Sequence, residues 1–454
     1  MTSLLSTSLR QVASRSALLL ALGLGLGACE KILDQTPQNS LDASTGFTTR
    51  QDAVAGLRGC YDALQSANYY GLRYETFADL ISGNIRHTGT FPTFAQIYQN
   101  QILPDNTDTR SVWIAVYDAI NRTNYFIQSV AKISDPAYNT ASAIGEARAL
   151  RALHYMNLLG YWGGSTQGYG YSGGVGVPLR LLPTLAVGAD TQPVVRASEA
   201  DVVTAIRADL DYAVANLAST ATTGITKNSA LALRARFELR MRNYTDALTF
   251  AKQVTGNINT TADNLFQLTF SVTDANQLAF FWFPSALGGR NELDPSNELA
   301  AAHPTGDLRL PINVVTSANA TSVYPAGTTR KYYRISTNDD PVNVIRYSEV
   351  VLTIAEAAAQ TNDLPTAITQ VNLIRAKAGL AATTATTQAA LLTEILLQRR
   401  LELAHEGLYW FDLRRTNTVQ AALPTYTQTF RNLWPIPTQE ILNSKGVLAQ
   451  NTGY

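Results

Sequence analysis

Residues 347–377 read YSEVVLTIAEAAAQTNDLPTAITQVNLIRAK. The spacing predicts a helix from Tyr347 to Gln360, a polar turn at Thr361-Asn362-Asp363 and a second helix from Pro365 to Lys377. Proline in a first helical turn forfeits no hydrogen bond and supplies a helical φ, and Gly379 stands where a helix ends. Ala367 and Ile368 fall on the inner face of the second helix. Working backwards, Asn228 to Arg242 leads through Arg242-Asn243 into Tyr244 to Val254 on the same plan, with Tyr244, Ala247, Leu248 and Ala251 on one face.

Helical spacing recurs further out. Ala53, Leu57, Cys60, Tyr61 and Leu64 share a face after Phe47, with Thr48 or Thr49 as cap, and Trp113, Val116, Tyr117, Ile120, Asn124 and Ile127 share another within Ser111 to Lys132. Ala143 to Leu159 makes a third helix. Ser198-Glu199-Ala200-Asp201 is a capping-box start for a fourth, and Gln388 to Glu406 a last. Helix, short turn, helix resembles a tetratricopeptide array, but the spacing departs from that array's period of about 34 residues, and residues 255–345 interrupt it. The expected fold class is therefore mainly α. A degenerate tetratricopeptide-like scaffold occupies 47–66, 110–160, 197–255 and 346–406, and a loop-rich irregular lobe is drawn mainly from 69–108, 160–195 and 256–345. Loops of that length are functional or disordered, and their aromatic residues argue for order.

The chain carries 35 basic and 35 acidic residues, and this zero net charge disfavours a nucleic-acid partner. Only 15% of residues are charged, so the surface is polar but largely uncharged, which suits an extracytoplasmic protein handling neutral solutes. At the amino terminus Arg10 and Arg15 precede an apolar run from Ala17 to Leu26 that ends in Gly27-Ala28-Cys29. The run is shorter than the roughly 20 residues of a membrane-spanning helix. It reads as a signal peptide over 1–28, with small residues before a cysteine whose sulfur is acylated. Cys29 is then the lipidation site, residues 29–46 a tether, and outer-membrane lipid the anchor, since more than one acyl chain holds stably. Cys60 falls on an apolar stripe and reads as core.

Longer motifs carry a resemblance. They include Tyr61-Asp62-Ala63-Leu64, Ile120-Asn121-Arg122-Thr123-Asn124, Gly145-Glu146-Ala147-Arg148-Ala149-Leu150-Arg151, Arg346-Tyr347-Ser348-Glu349 and Val371-Asn372-Leu373-Ile374-Arg375. Arg399-Arg400-Leu401-Glu402, Trp410-Phe411-Asp412-Leu413-Arg414-Arg415, Trp434-Pro435-Ile436-Pro437 and Gln450-Asn451-Thr452-Gly453-Tyr454 complete the series. From Cys29 to Tyr454 the chain resembles the SusD/RagB family of outer-membrane nutrient-binding lipoproteins. The resemblance implies a SusD-like domain over 47–454, no enzymatic activity and a glycan or other nutrient as ligand. It also implies a SusC-like TonB-dependent transporter as partner. Gln398, His405 and Gly83 depart from the family's common Glu, Phe and Asp, and the last leaves the ligand chemistry near Asn84 open.

Paired carboxylates can hydrolyse glycosidic bonds, so Glu146, Glu349, Glu356, Glu402 and Glu406, or Glu75 with Asp79, admit a glycosidase reading. A helical adaptor that binds no substrate is another. Carboxylates interleaved with arginines at three- and four-residue spacing favour ion pairs instead, and no catalytic residue is assigned. His87, His154, His303 and His405 are scattered, so no metal site is assigned, and no cofactor motif is present; the glycines from Gly160 to Gly176 lack the Lys-Ser/Thr of a phosphate loop. Sugar rings stack their C–H faces on aromatic residues and need polar side chains nearby. The ligand-binding candidates are accordingly Tyr70, Arg73, Tyr74, Asn84, Arg86, His87 and Phe91, joined by Trp282 and Tyr324 from the later irregular stretch.

Overall fold

The structure, a computed structural model, describes residues 47–219, 224–258 and 263–454. Cys29, the leader and the tether lie outside the described residues. Local signals set the helix starts. Thr49 caps α1 (Arg50–Gln65) in a capping box with Asp52. After α2 (Arg73–Ile81), β1 (Ile85–His87) and α3 (Pro92–Tyr98) come two long helices, α4 (Thr107–Val130) and α5 (Thr140–Trp162). Strands β2 (Val175–Pro178) and β3 (Arg196–Ser198) precede α6 (Glu199–Asn216), which Ser198 and Asp201 start in a second capping box. The first helix pair is α7 (Lys227–Arg240) and α8 (Tyr244–Ala251), joined through Arg242 at φ +60°.

The second pair is continuous with the first in space although not in sequence. Between them run β4 (Asn264–Leu268), α9 (Leu278–Trp282), β5 (Leu293–Pro295), α10 (Asn297–Ala302), α11 (Leu310–Asn313) and β6 (Val342–Arg346). The chain then enters α12 (Tyr347–Gln360), α13 (Leu364–Lys377), α14 (Gln388–Glu402) and α15 (Tyr409–Arg415). Helix α8 packs directly on α12, with Leu239, Ala247 and Ala357 in one apolar cluster. The alanines explain the close approach: Ala355, Ala358, Ala359 and Ala367 are all buried, interleaved with Val371, Leu391 and Ile395. One helical array therefore runs α1, α4, α5, α6, α7, α8, α12, α13 and α14.

Two sequence expectations are corrected. The 69–108 stretch holds α2 and α3, whose nine and seven residues fall short of the roughly 11 residues over which a helical period can be read from sequence. Helix α14 ends at Glu402 rather than Glu406, because His405 (φ +64°) and Gly407 (φ +69°) turn left-handed.

The carboxylates among arginines do form ion pairs, mostly between helices rather than along one. Arg151 grips both oxygens of Asp209 at 2.8 Å. Arg236 Nε meets Glu349 at 2.6 Å, and Arg415 Nη2 meets Glu356 at 2.7 Å. Arg346 joins Asp263, Glu402 and Glu406, with Lys377 and Lys331 completing the cluster. Glu146 is the exception, since it accepts from the Tyr61 hydroxyl at 2.5 Å rather than from an arginine.

Candidate functional site

Strands β1 and β5 pair antiparallel with Arg86 opposite Asp294 and His87 opposite Leu293. The ladder starts from a fixed point. Buried Asn84 donates to Asp79 Oδ1 at 2.7 Å and accepts from Arg400 Nε at 2.8 Å, while Asp79 Oδ2 takes the Gly407 N–H at 2.7 Å. Burial pushes Asp79 up to about 6, with the Asn84 and Gly407 bonds opposing it.

Along the ladder, Arg86 Nη2 donates to Asp294 at 2.7 Å. At its far end Glu292 gathers the chain: its Oε2 lies 3.0 Å from His87 Nε2 and accepts the N–H groups of Thr90 and Phe91 at 2.9 and 3.2 Å. A Cβ on Gly89 would sit 2.0 Å from that oxygen, so the carboxylate fits only over glycine. Arg290 donates Nε to Glu292 Oε1 at 3.2 Å and lies 4.0 Å from the centre of the Phe91 ring. On the other side, Gly327 (φ +84°) has its Cβ direction only 3.2 Å from Asp294 Oδ1, which brings the 324–334 loop against the ladder. In that loop Tyr324 meets Tyr333 edge-on, ring centres 5.2 Å apart, and Arg330 lies 4.8 Å from the Tyr324 ring centre.

The sequence-derived candidates thus divide. Arg86, His87, Phe91 and Tyr324 lie on or beside the ladder and are partly exposed. Arg73 is part-buried and paired to Asp108 at 2.7 Å. Tyr70, Tyr74 and Trp282 are 3%, 4% and 1% exposed. The Tyr70 and Tyr74 hydroxyls both bond Asn157, and Trp282 packs edge-on against His405 at 5.0 Å. As placed, these three rings and Asn84 offer no face to a ligand arriving from solvent; they are core groups beneath the site. Glu75 and Asp79 are likewise sealed at 2% and 0% exposure, and Glu75 accepts from Tyr332 at 3.2 Å. Burial, then the nearby Glu406, hold Glu75 above the usual carboxylate range.

Arg290, Glu292, Asp294, Arg330 and Tyr333 were not singled out from sequence. The run Arg330-Lys331-Tyr332-Tyr333-Arg334, basic residues interleaved with aromatics, was the available signal. A separate cleft of about 460 Å³ lies beside α4, lined by Trp113, Tyr117, Asn121 and Asn124. Three of its polar side chains are already engaged, for Tyr117, Asn121 and Asn124 bond the backbone of the 178–184 segment. Among the described residues no three His, Cys, Asp or Glu side chains converge as a metal site, and no helix is long and apolar enough to cross a membrane.

Known proteins share this architecture. Residues 31–239 match a family described as starch-binding associating with outer membrane, and residues 309–454 match the SusD family. The chain belongs to the SusD family. A SusD-like protein of Formosa agariphila is 27% identical, over 96% of this chain and 98% of its own. Among solved structures, a SusD superfamily protein from Bacteroides thetaiotaomicron superposes with a TM-score of 0.76 at 22% identity, over 89% of this chain and all of its own. A laminarin-binding SusD-like protein does so with a TM-score of 0.73 at 20% identity, over 90% of this chain and all of its own. The mainly α architecture with its irregular lobe is thus that of SusD proteins.

Proposed function

We propose that this SusD-family protein is a surface lipoprotein, anchored to the outer membrane through acylated Cys29, that binds an oligosaccharide or polysaccharide and delivers it to a SusC-like TonB-dependent transporter. One observation carries the binding reading. Partly exposed aromatic rings and arginines with unused N–H groups converge on the β1–β5 ladder and the 324–334 loop, and a buried hydrogen-bond chain ties that ladder to the helical scaffold. Rigid support of this kind lowers the ordering cost of binding. The starch-binding description of the matched family and the laminarin-binding relative support a sugar as the ligand class. Contacts that add along a chain of rings predict stronger retention by polymers than by monosaccharides.

Affinity electrophoresis of the mature chain against a polysaccharide panel tests this reading. Retardation by at least one glycan, lost in Tyr324→Ala, is the expected result; mobility unchanged by every glycan overturns it. Palmitate labelling tests the anchor separately. Cys29→Ser should lose both the label and membrane association, and labelling that persists refutes the assignment.

A further inference from the structure

Three guanidiniums in the irregular lobe are each held through one nitrogen. Arg86 and Arg330 donate through Nη2, to Asp294 and the Asn319 carbonyl at 2.7 and 3.1 Å, and Arg290 donates through Nε to Glu292 at 3.2 Å. The Nε atoms of Arg86 and Arg330 are buried with no acceptor among the described residues. In the scaffold Arg346 and Arg415 use all three nitrogens, whereas Arg240 and Arg400 are also held through one. A guanidinium carries five N–H donors in a planar fork that matches a carboxylate or sulfate. The buried Nε atoms of Arg86 and Arg330 are sealed from a ligand, so the donor capacity left at this surface is that of the Nη groups that the fold does not use.

The ion pairs also have a direction. Arg86 is 42% exposed over an Asp294 that is 14% exposed, and Arg290 is 40% exposed over a Glu292 that is 2% exposed. A ligand at this surface meets each cation at contact distance and each carboxylate farther away, and Coulomb attraction falls with that separation. Glu292 is further occupied by Thr90, Phe91 and His87. The aromatic rings point the same way. Arg290 covers one face of Phe91 and Arg330 one face of Tyr324, so a neutral sugar stacking there must displace a cation–π contact. An anionic sugar can bond the cation where it lies.

Resting on the glycan-binding reading above, we infer that the ligand is an anionic glycan whose carboxylate or sulfate groups are taken by Arg86, Arg290 and Arg330. This departs from the neutral solute that overall composition suggests, because the sum of charges hides their local orientation.

Binding of the mature chain to polygalacturonate, alginate, dextran sulfate, dextran, laminarin and starch, measured across a salt series, tests the inference. The polyanions should bind, with affinity falling steeply as salt rises, and Arg86→Gln, Arg290→Gln and Arg330→Gln should each weaken binding about tenfold. Arg122→Gln, an exposed arginine paired to Asp62 and Asp118 on α4, should leave it unchanged. Binding by polyuronates alone assigns carboxylate recognition, and by dextran sulfate over dextran assigns sulfate recognition. Laminarin or starch binding without polyanion binding overturns the inference and leaves the glycan reading standing. An equal loss in Arg122→Gln overturns it as diffuse attraction, and no binding to any glycan overturns both.

Discussion

Arg400 Nε donates to Asn84 Oδ1 at 2.8 Å, joining the last scaffold helix to the residue before β1 across 316 positions of chain. Both ends are committed, since Asn84 also holds Asp79. Asn84→Ala leaves a buried carboxylate and a guanidinium short of partners. Unmade buried bonds of this kind cost about 1–3 kcal/mol each, so the urea midpoint should fall by a margin well outside error. Glycan retention should weaken too, because β1 carries Arg86 and His87. An unchanged midpoint would show that the bond does not hold the ladder.

Aromatic candidates should separate into two classes by experiment. Tyr74→Ala and Trp282→Ala empty the core and should destabilise the fold by about 3–5 kcal/mol. Phe91→Ala and Tyr324→Ala remove partly exposed rings, so melting temperature should change little while retention on a bound glycan drops. Thermal melts beside affinity gels on all four variants decide it. A stable Trp282→Ala protein with lost binding would restore Trp282 to the site.

The scaffold was legible because its helices advertise themselves. Ser198 and Asp201 cap where the sequence says, and the alanines of α12 pack as close-contact positions. Helix α2 was not legible because its nine residues are too few for a period to stand out, whereas α12, equally buried, is long enough to be read. For the candidate site, the sequence marked a region more readily than it marked residues. Aromatic content marked 69–108, but a tyrosine that stacks on sugar and one that bonds Asn157 in the core have the same letter. Arg290 and Arg330 reach Phe91 and Tyr324 through a ladder register and a loop conformation that no local pattern encodes.

Glu356 lies between two guanidiniums, bonded by Arg415 through Nη1 and Nη2, with Arg399 Nε 3.9 Å away. Glu356→Gln leaves Asp412 as the remaining carboxylate facing both. Breaking a buried pair from one side costs about 3–5 kcal/mol, so a large loss of stability is expected in denaturant titration. Glycan affinity of the folded fraction should be preserved. A stable protein that loses a hydrolytic activity would instead revive the catalytic reading of these carboxylates.

The most specific pH prediction concerns His405. Its ring is buried, Nε2 donates to the Asn313 carbonyl at 2.9 Å, and Nδ1 has no partner among the described residues. Burial, helped by nearby Lys331, pushes its pKa down to about 3 from the ordinary 6.5. The unfolded chain therefore takes a proton near pH 6.5 that the folded protein refuses until about 3. Stability is full above 6.5 and declines as pH falls through that window. At pH 5 the loss is about 2 kcal/mol, at 1.36 kcal/mol per pH unit. Phenylalanine cannot titrate, so His405→Phe should be penalised at pH 7.5 for the lost Asn313 bond and then gain about 2 kcal/mol on the parent by pH 5. His154, also buried and held near 3, declines equally in both proteins. Asp79, raised to about 6, contributes in the opposite sense, adding stability as pH falls, and cancels in the same comparison. Urea titrations of both proteins at the two pH values measure the difference, and a gap that does not move with pH would mean that His405 is not held neutral by its burial.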